Sequence, residues 1–115
     1  MNAAFIVTWS RPFPGREKKA LDFGVEVNEY WGKLAADGKC TPPEMFFLPN
    51  GQGFWMVKGD REELYKLFWS DVSQTLLTKG EYLFGDFKHA IAVTGTAADE
   101  FLFRYTEVGT ELGYI

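Results

Sequence analysis

The sequence predicts an α+β domain, with strands and helices in the order β-α-β-β-α-β and a further helix at the C-terminal end. Three observations carry this expectation. Short runs rich in aromatic and β-branched residues stand apart from longer segments. The longer segments repeat their apolar residues at helical spacing. Pro, Gly and Asn fall at the junctions, where the chain must turn.

The first strand is Ala3 to Ser10, AAFIVTWS. Phe5, Val7 and Trp9 share one face, and Ala4, Ile6 and Thr8 share the other. Both faces carry apolar groups, as in a strand covered on both sides. Arg11-Pro12-Phe13-Pro14-Gly15 ends it. Arg16 to Asp37 is the first helix, with Ala20, Phe23, Val27, Tyr30, Trp31 and Leu34 on one stripe and Gly38 as its stop. Leu21 and Val25 lie off that stripe, where they are either scattered surface residues or a contact with another subunit. Glu44 to Pro49 and Phe54 to Gly59 form a hairpin around Asn50-Gly51-Gln52-Gly53. Asp60 reads as the N-cap of the second helix, paired with Glu63. Leu64, Leu67 and Phe68 are its apolar face. Ser70-Asp71 reads as a second cap, after which Val72, Thr75 and Leu76 carry the helix towards Gly80. The fourth strand is Asp86 to Thr94, or starts as early as Leu83. Phe87, His89, Ile91 and Val93 share one of its faces. Thr96 is expected to cap the last helix with Asp99. Its stripe is Ala98, Phe101, Tyr105, Val108 and Leu112, and Phe103 points away from it.

This order is that of the ferredoxin-like, split βαβ topology, as one domain over residues 1–115. Right-handed crossovers give a four-stranded antiparallel sheet with both long helices on one face. The other face is then open, yet it is not polar. Ala4, Ile6 and the nearly continuous apolar hairpin would expose a patch too large for a monomer. A second copy related by a two-fold axis is the simplest cover, so a homodimer through the sheet face is expected.

A unit of this order with two apolar sheet faces resembles the dimeric α+β barrel superfamily over Ala3 to Gly95. The resemblance implies that two sheets pack into a barrel, with a ligand in a cleft between sheet and helices. Trp69-Ser70-Asp71 through Phe87 is also similar to short uncharacterised bacterial proteins of that class, a likeness that implies no activity. Haem-degrading members of the superfamily ligate iron through a histidine on a helix, whereas His89 reads as a strand residue. Cofactor-free monooxygenases of the class use Asn, Trp and Tyr around a polycyclic substrate. Trp9, Asn28, Tyr30 and Trp31 are present here without a matching motif, so no role carries over.

Composition narrows the function classes. The chain has 12 Lys and Arg against 16 Asp and Glu, a net charge of −4, and its basic residues are scattered, so nucleic acid is not an expected partner. No apolar run approaches the roughly 20 residues a bilayer requires, so no membrane association is expected. No charged and apolar leader opens the chain, and the cytoplasm is the expected location. Aromatics make up 17 % of the chain, far too many for a disordered one. Cys40 is the single cysteine and lies in a loop, where an inert thiol is expected. No metal site and no cofactor are expected, because one His, one Cys and dispersed carboxylates do not build a ligand set. Gly51-Gln52-Gly53 is half of a dinucleotide fingerprint, but Met56 stands at the third glycine position and a strand follows. Gln52-Gly53-Phe54-Trp55-Met56 also departs from the RNA-binding string of this topology.

Two kinds of residue remain. His89 is the only histidine, and thus the only side chain that titrates near neutrality unaided. It is the catalytic candidate if it faces the cleft, and otherwise a half-buried histidine bonded to a neighbour. Asp86 lies on the opposite strand face, and Glu26 is a possible carboxylate partner. Trp9, Tyr30, Trp31, Phe47, Trp55 and Phe87 are either cleft walls for a flat apolar molecule or core and dimer interface. Tyr30 and Trp31, at the edges of their stripe and with polar tips, are the leading ligand contacts, followed by Trp9 and Phe87. The expectation is a homodimer that binds a small apolar or aromatic molecule. The alternative is a cofactor-free monooxygenase- or isomerase-like enzyme with His89 as its acid–base group.

Overall fold

A computed structural model describes residues 1–115. The elements are β1 (Ala3–Trp9), α1 (Glu17–Ala36), β2 (Glu44–Phe47), β3 (Gly53–Gly59), α2 (Arg61–Phe68), α3 (Asp71–Leu83), β4 (Lys88–Val93) and α4 (Thr96–Glu111). The sheet has the order β2-β3-β1-β4, and every neighbouring pair is antiparallel. In the register, Phe5 stands between Val57 and Ile91, and Val7 between Trp55 and His89.

The inner face of β1 presents Ala3, Phe5, Val7 and Trp9, all buried. Trp55 and Val57 of β3 extend that face. Trp31 of α1, Leu64 and Leu67 of α2, and Leu77 of α3 pack on it in one cluster, so three helices cover one side of the sheet. The opposite side carries Ile6, Phe46, Phe54 and Met56, none of them buried. No helix is long and apolar enough to cross a membrane.

Local signals explain where most elements begin and end. After α1, Gly38 takes φ +76° and its N–H donates to Ala35 O, while Lys39 N–H donates to Leu34 O. That is the left-handed closure that only glycine adopts cheaply. Gly51 has φ +91° in the hairpin loop. Ser70 Oγ accepts from Ser73 N–H at 3.3 Å, so Ser70 caps α3 and separates it from α2.

Several sequence expectations are corrected. Asp60 occupies the N-cap position of α2, but its side chain makes no capping bond. Asn2 Oδ1 accepts from Arg61 N–H instead, at 2.8 Å. A cap from a distant strand end satisfies the same orphan donor. Along α3 the buried face is Ser73, Leu76, Leu77 and Gly80, whereas Val72 and Thr75 are exposed. Leu76 is on the expected face, while Ser73 and Gly80 take the places beside it, and a Cβ at Gly80 would collide with the Phe87 ring. Leu83 ends α3 and does not start a strand. The cap position of α4 is Gly95, at φ +63°, with Thr96 as the first helical residue and no side-chain cap.

The largest departure is α4 itself. Helical spacing gives it an apolar stripe, but α4 has no buried residue. Arg61 meets it from the body, with its guanidinium 5.0 Å from the Phe101 ring centroid. The radius of gyration is 16.3 Å, against about 13 Å for a compact chain of this length. The helix therefore projects from the body.

Two glycines give opposite predictions. An added Cβ at Gly53 would meet Phe46 O and, at 2.9 Å, the Trp9 ring. Gly53→Ala is expected to lose about 2–3 kcal/mol. At Gly32, inside α1, an added Cβ meets nothing within 4 Å. Gly32→Ala is expected to gain about 0.5–1 kcal/mol through helix propensity. Urea unfolding of both variants measures each change.

Candidate functional site

Between the inner sheet face and the helices lies a cavity of about 60 Å³. Phe5, Val7, Trp9 and Trp55 form its sheet wall. Phe23, Gly24, Val27 and Trp31 come from α1, and Ser73, Leu76 and Leu77 from α3. Met45, Phe84 and Phe87 complete it. Gly24, Val27, Met45 and Phe84 are its half-buried members.

The aromatic side chains present carbon to this space because their polar tips are held elsewhere. Trp9 Nε1 donates to Gly51 O at 2.9 Å. Trp55 Nε1 donates to Asn28 Oδ1 at 3.0 Å. Those bonds orient both indoles and satisfy donors that burial would otherwise leave costly. Ser73, 1 % exposed, is the single polar side chain in the wall. A wall of this kind recognises shape and apolar surface.

Of the candidate ligand contacts, Trp9, Trp31 and Phe87 line the cavity together. Trp31 is 2 % exposed and forms part of the core as well as the wall. Tyr30 does not line it. Its hydroxyl lies 3.4 Å from Ser70 Oγ, and its ring stands edge-on to Trp31 at 5.7 Å. Tyr30 thus fastens α1 to the α2–α3 junction. Phe47 is 61 % exposed on edge strand β2 and touches Trp9 from outside, at 5.8 Å.

His89 is exposed on edge strand β4 and is not part of the cavity wall. Its ring packs against Phe68 at 5.5 Å and Phe87 at 6.5 Å. Glu26 is engaged elsewhere, in an ion pair with Lys79 at 2.8 Å. Asp86, Lys88 and the ends of β1 and β2 border a separate open groove. No cluster of three His, Cys, Asp or Glu side chains is placed to hold a metal ion.

Sequence reasoning passed over Gly24, Met45, Ser73, Leu77 and Phe84. Small residues at Gly24 and Ser73 leave room opposite large rings. The available signal was the Ser73, Leu77, Gly80 spacing of three and four residues, which places two small residues on one helix face. Comparison with family models, with curated proteins and with solved structures finds no match for this chain.

Two measurements follow from these contacts. Asn28→Ala removes the partner of the Trp55 indole and is expected to cost about 1 kcal/mol. Urea unfolding followed by tryptophan fluorescence reads the cost, together with a changed emission maximum in the folded state. Cys40 is buried, and desolvation raises its thiol above the usual range. Folded protein therefore keeps a proton that unfolded protein releases. The contribution is complete below the unfolded thiol's pKa and is lost as pH rises towards the folded value. Alkylation of the native protein at mildly alkaline pH is expected to be much slower than that of the urea-unfolded chain.

Proposed function

We propose that the protein is a small homodimer that pairs through the open face of its sheet and holds a small apolar molecule in the cavity beneath β1 and β3. The observation that carries the pairing is the outer sheet face. Phe46 and Phe54 stack there at 4.6 Å between ring centroids and are 47 % and 38 % exposed. Ile6 and Met56 continue the patch across the register. Lys58, Lys88 and Glu44 lie on the same side at its margins. An apolar centre with a charged rim is the ordinary build of a protein interface.

The reading takes the domain as ferredoxin-like and the assembly as a dimeric α+β barrel. The sheet order, read from the other edge as β4-β1-β3-β2 with every pair antiparallel, supports it. In that arrangement β3 separates β1 from β2, and β1 separates β3 from β4. Each helical crossover then joins two parallel strands with one strand between them, which is the split βαβ unit. The unpaired Cys40 thiol suits a reducing compartment such as the cytoplasm.

Cavity size limits the ligand. A cavity of about 150 Å³ is known to hold benzene, and this one measures about 60 Å³. It suits a compact apolar molecule of few atoms. A larger, flat ligand requires Met45 to swing aside, which a flexible thioether does readily. Binding takes precedence over an acid–base reaction in this reading, because His89 stands outside the cavity.

Native mass spectrometry and xenon binding test the two halves. Wild-type protein is expected at a multiple of two chains, and Phe54→Glu at half the wild-type mass. A wild-type mass of one chain, or a Phe54→Glu variant of unchanged mass, removes the sheet-face dimer. Xenon under pressure is expected to shift the indole resonances of Trp31 and Trp55, and Gly24→Leu to abolish the shift. Unmoved indole resonances in the wild type remove the ligand site.

A further inference from the structure

The helix that leaves the body is patterned for a partner of its own. Phe101, Tyr105, Val108 and Leu112 follow one another at spacings of four, three and four residues. That is the a/d seam of a heptad repeat, the pattern of a helix that packs along another helix. All four are exposed, at 42 %, 72 %, 47 % and 64 %. The seam ends where Tyr114 and Ile115 fold back to donate to Gly109 O.

The charges choose the occupant. Asp99, Glu100, Glu107 and Glu111 make α4 acidic, with Arg104 as its one base. An acidic helix is repelled by anionic lipid, so a membrane surface is a poor match. With Phe101 and Val108 at d and Tyr105 and Leu112 at a, Arg104 and Glu111 both fall at g. In an antiparallel pair, g positions face g positions. Packing Phe101 against the partner helix's leucine, and Tyr105 against its valine, then sets Arg104 opposite Glu111 of the second copy, twice by symmetry. A parallel pair would set Arg104 opposite the e position of Gly109 and gain no ion pair.

We infer that α4 is a self-association element, pairing antiparallel with α4 of a second copy through Phe101, Tyr105, Val108 and Leu112, with Arg104 and Glu111 matched across the two-fold axis. The contact is separate from the sheet face and does not depend on it. If both act, two different two-fold interfaces assemble more than two chains. Gly95, at φ +63° and ψ −139°, sits in backbone space open only to glycine and sets the angle at which α4 leaves the sheet.

Sedimentation equilibrium on the full chain, in the wild type and in a Phe54→Glu background, tests the inference. Arg104→Glu and Glu111→Arg alone are each expected to raise the dissociation constant about tenfold at low salt. The double exchange is expected to restore association. Tyr105→Glu is expected to abolish the α4 contact in both backgrounds. Because α4 buries nothing in its own domain, these variants keep the fold, which far-ultraviolet circular dichroism verifies. Unchanged association in the single exchanges, failure of the double exchange to rescue, or an unaffected Tyr105→Glu variant would overturn the inference. If Phe54→Glu alone leaves the mass unchanged while the α4 variants lower it, the sheet-face reading fails and this one stands.

Discussion

Phe5 sits at the centre of β1, 2 % exposed, with Trp31 of α1, Trp55 of β3 and Phe68 of α2 at centroid distances of 5.4, 5.7 and 5.6 Å. One ring thus joins two strands and two helices. β1 also pairs on both edges, with β3 and with β4. The two central strands, β1 and β3, therefore carry the largest part of the inner face. The same crowding of rings accounts for the cavity. Aromatic side chains are large and rigid, and they cannot settle into an irregular gap as leucine or methionine would. Where Gly24 and Ser73 face them, the space stays open.

The surface is as informative as the core. Only 18 of 115 residues are buried, so the chain has little core from which to draw stability. Two apolar surfaces remain uncovered, the outer sheet face and the seam of α4. They differ in character. The sheet face is aromatic with lysines at its rim, while α4 is a narrow stripe on an acidic helix. A chain of 13.1 kDa thus leaves much of its apolar surface outside its core.

Much of this was legible in the residues. The α1 stripe was readable because Ala20, Phe23 and Trp31 repeat at helical spacing, and all three are buried. Asn50-Gly51 announced the hairpin, and Ser70 announced the break between α2 and α3, because turns and caps demand particular residue types. Asp60 and Thr96 misled for a related reason. Each has the right chemistry for a cap, but Asn2 supplies the bond at α2, and Gly95 occupies the cap position of α4. Sequence neighbours compete with spatial neighbours for the same orphan donors. The place of Tyr30 was not legible, because a polar tip at a stripe edge can face a cavity or a neighbouring helix equally well. Here it meets Ser70.

By itself, the sequence determined the class of fold, the order of its elements, the two-sided apolar sheet and the buried stripe of α1. These depend on local periodicity and turn chemistry, which the chain carries wherever it lies. Tertiary structure alone decided that Trp9, Trp31 and Phe87 share a cavity with Ser73, that His89 stands outside it on an edge strand, and that α4 turns away from the body. The physical reason is that an apolar stripe states that a face must be covered and says nothing of what covers it. Phe23 finds its cover within the chain. Tyr105 and Leu112, equally well patterned, do not.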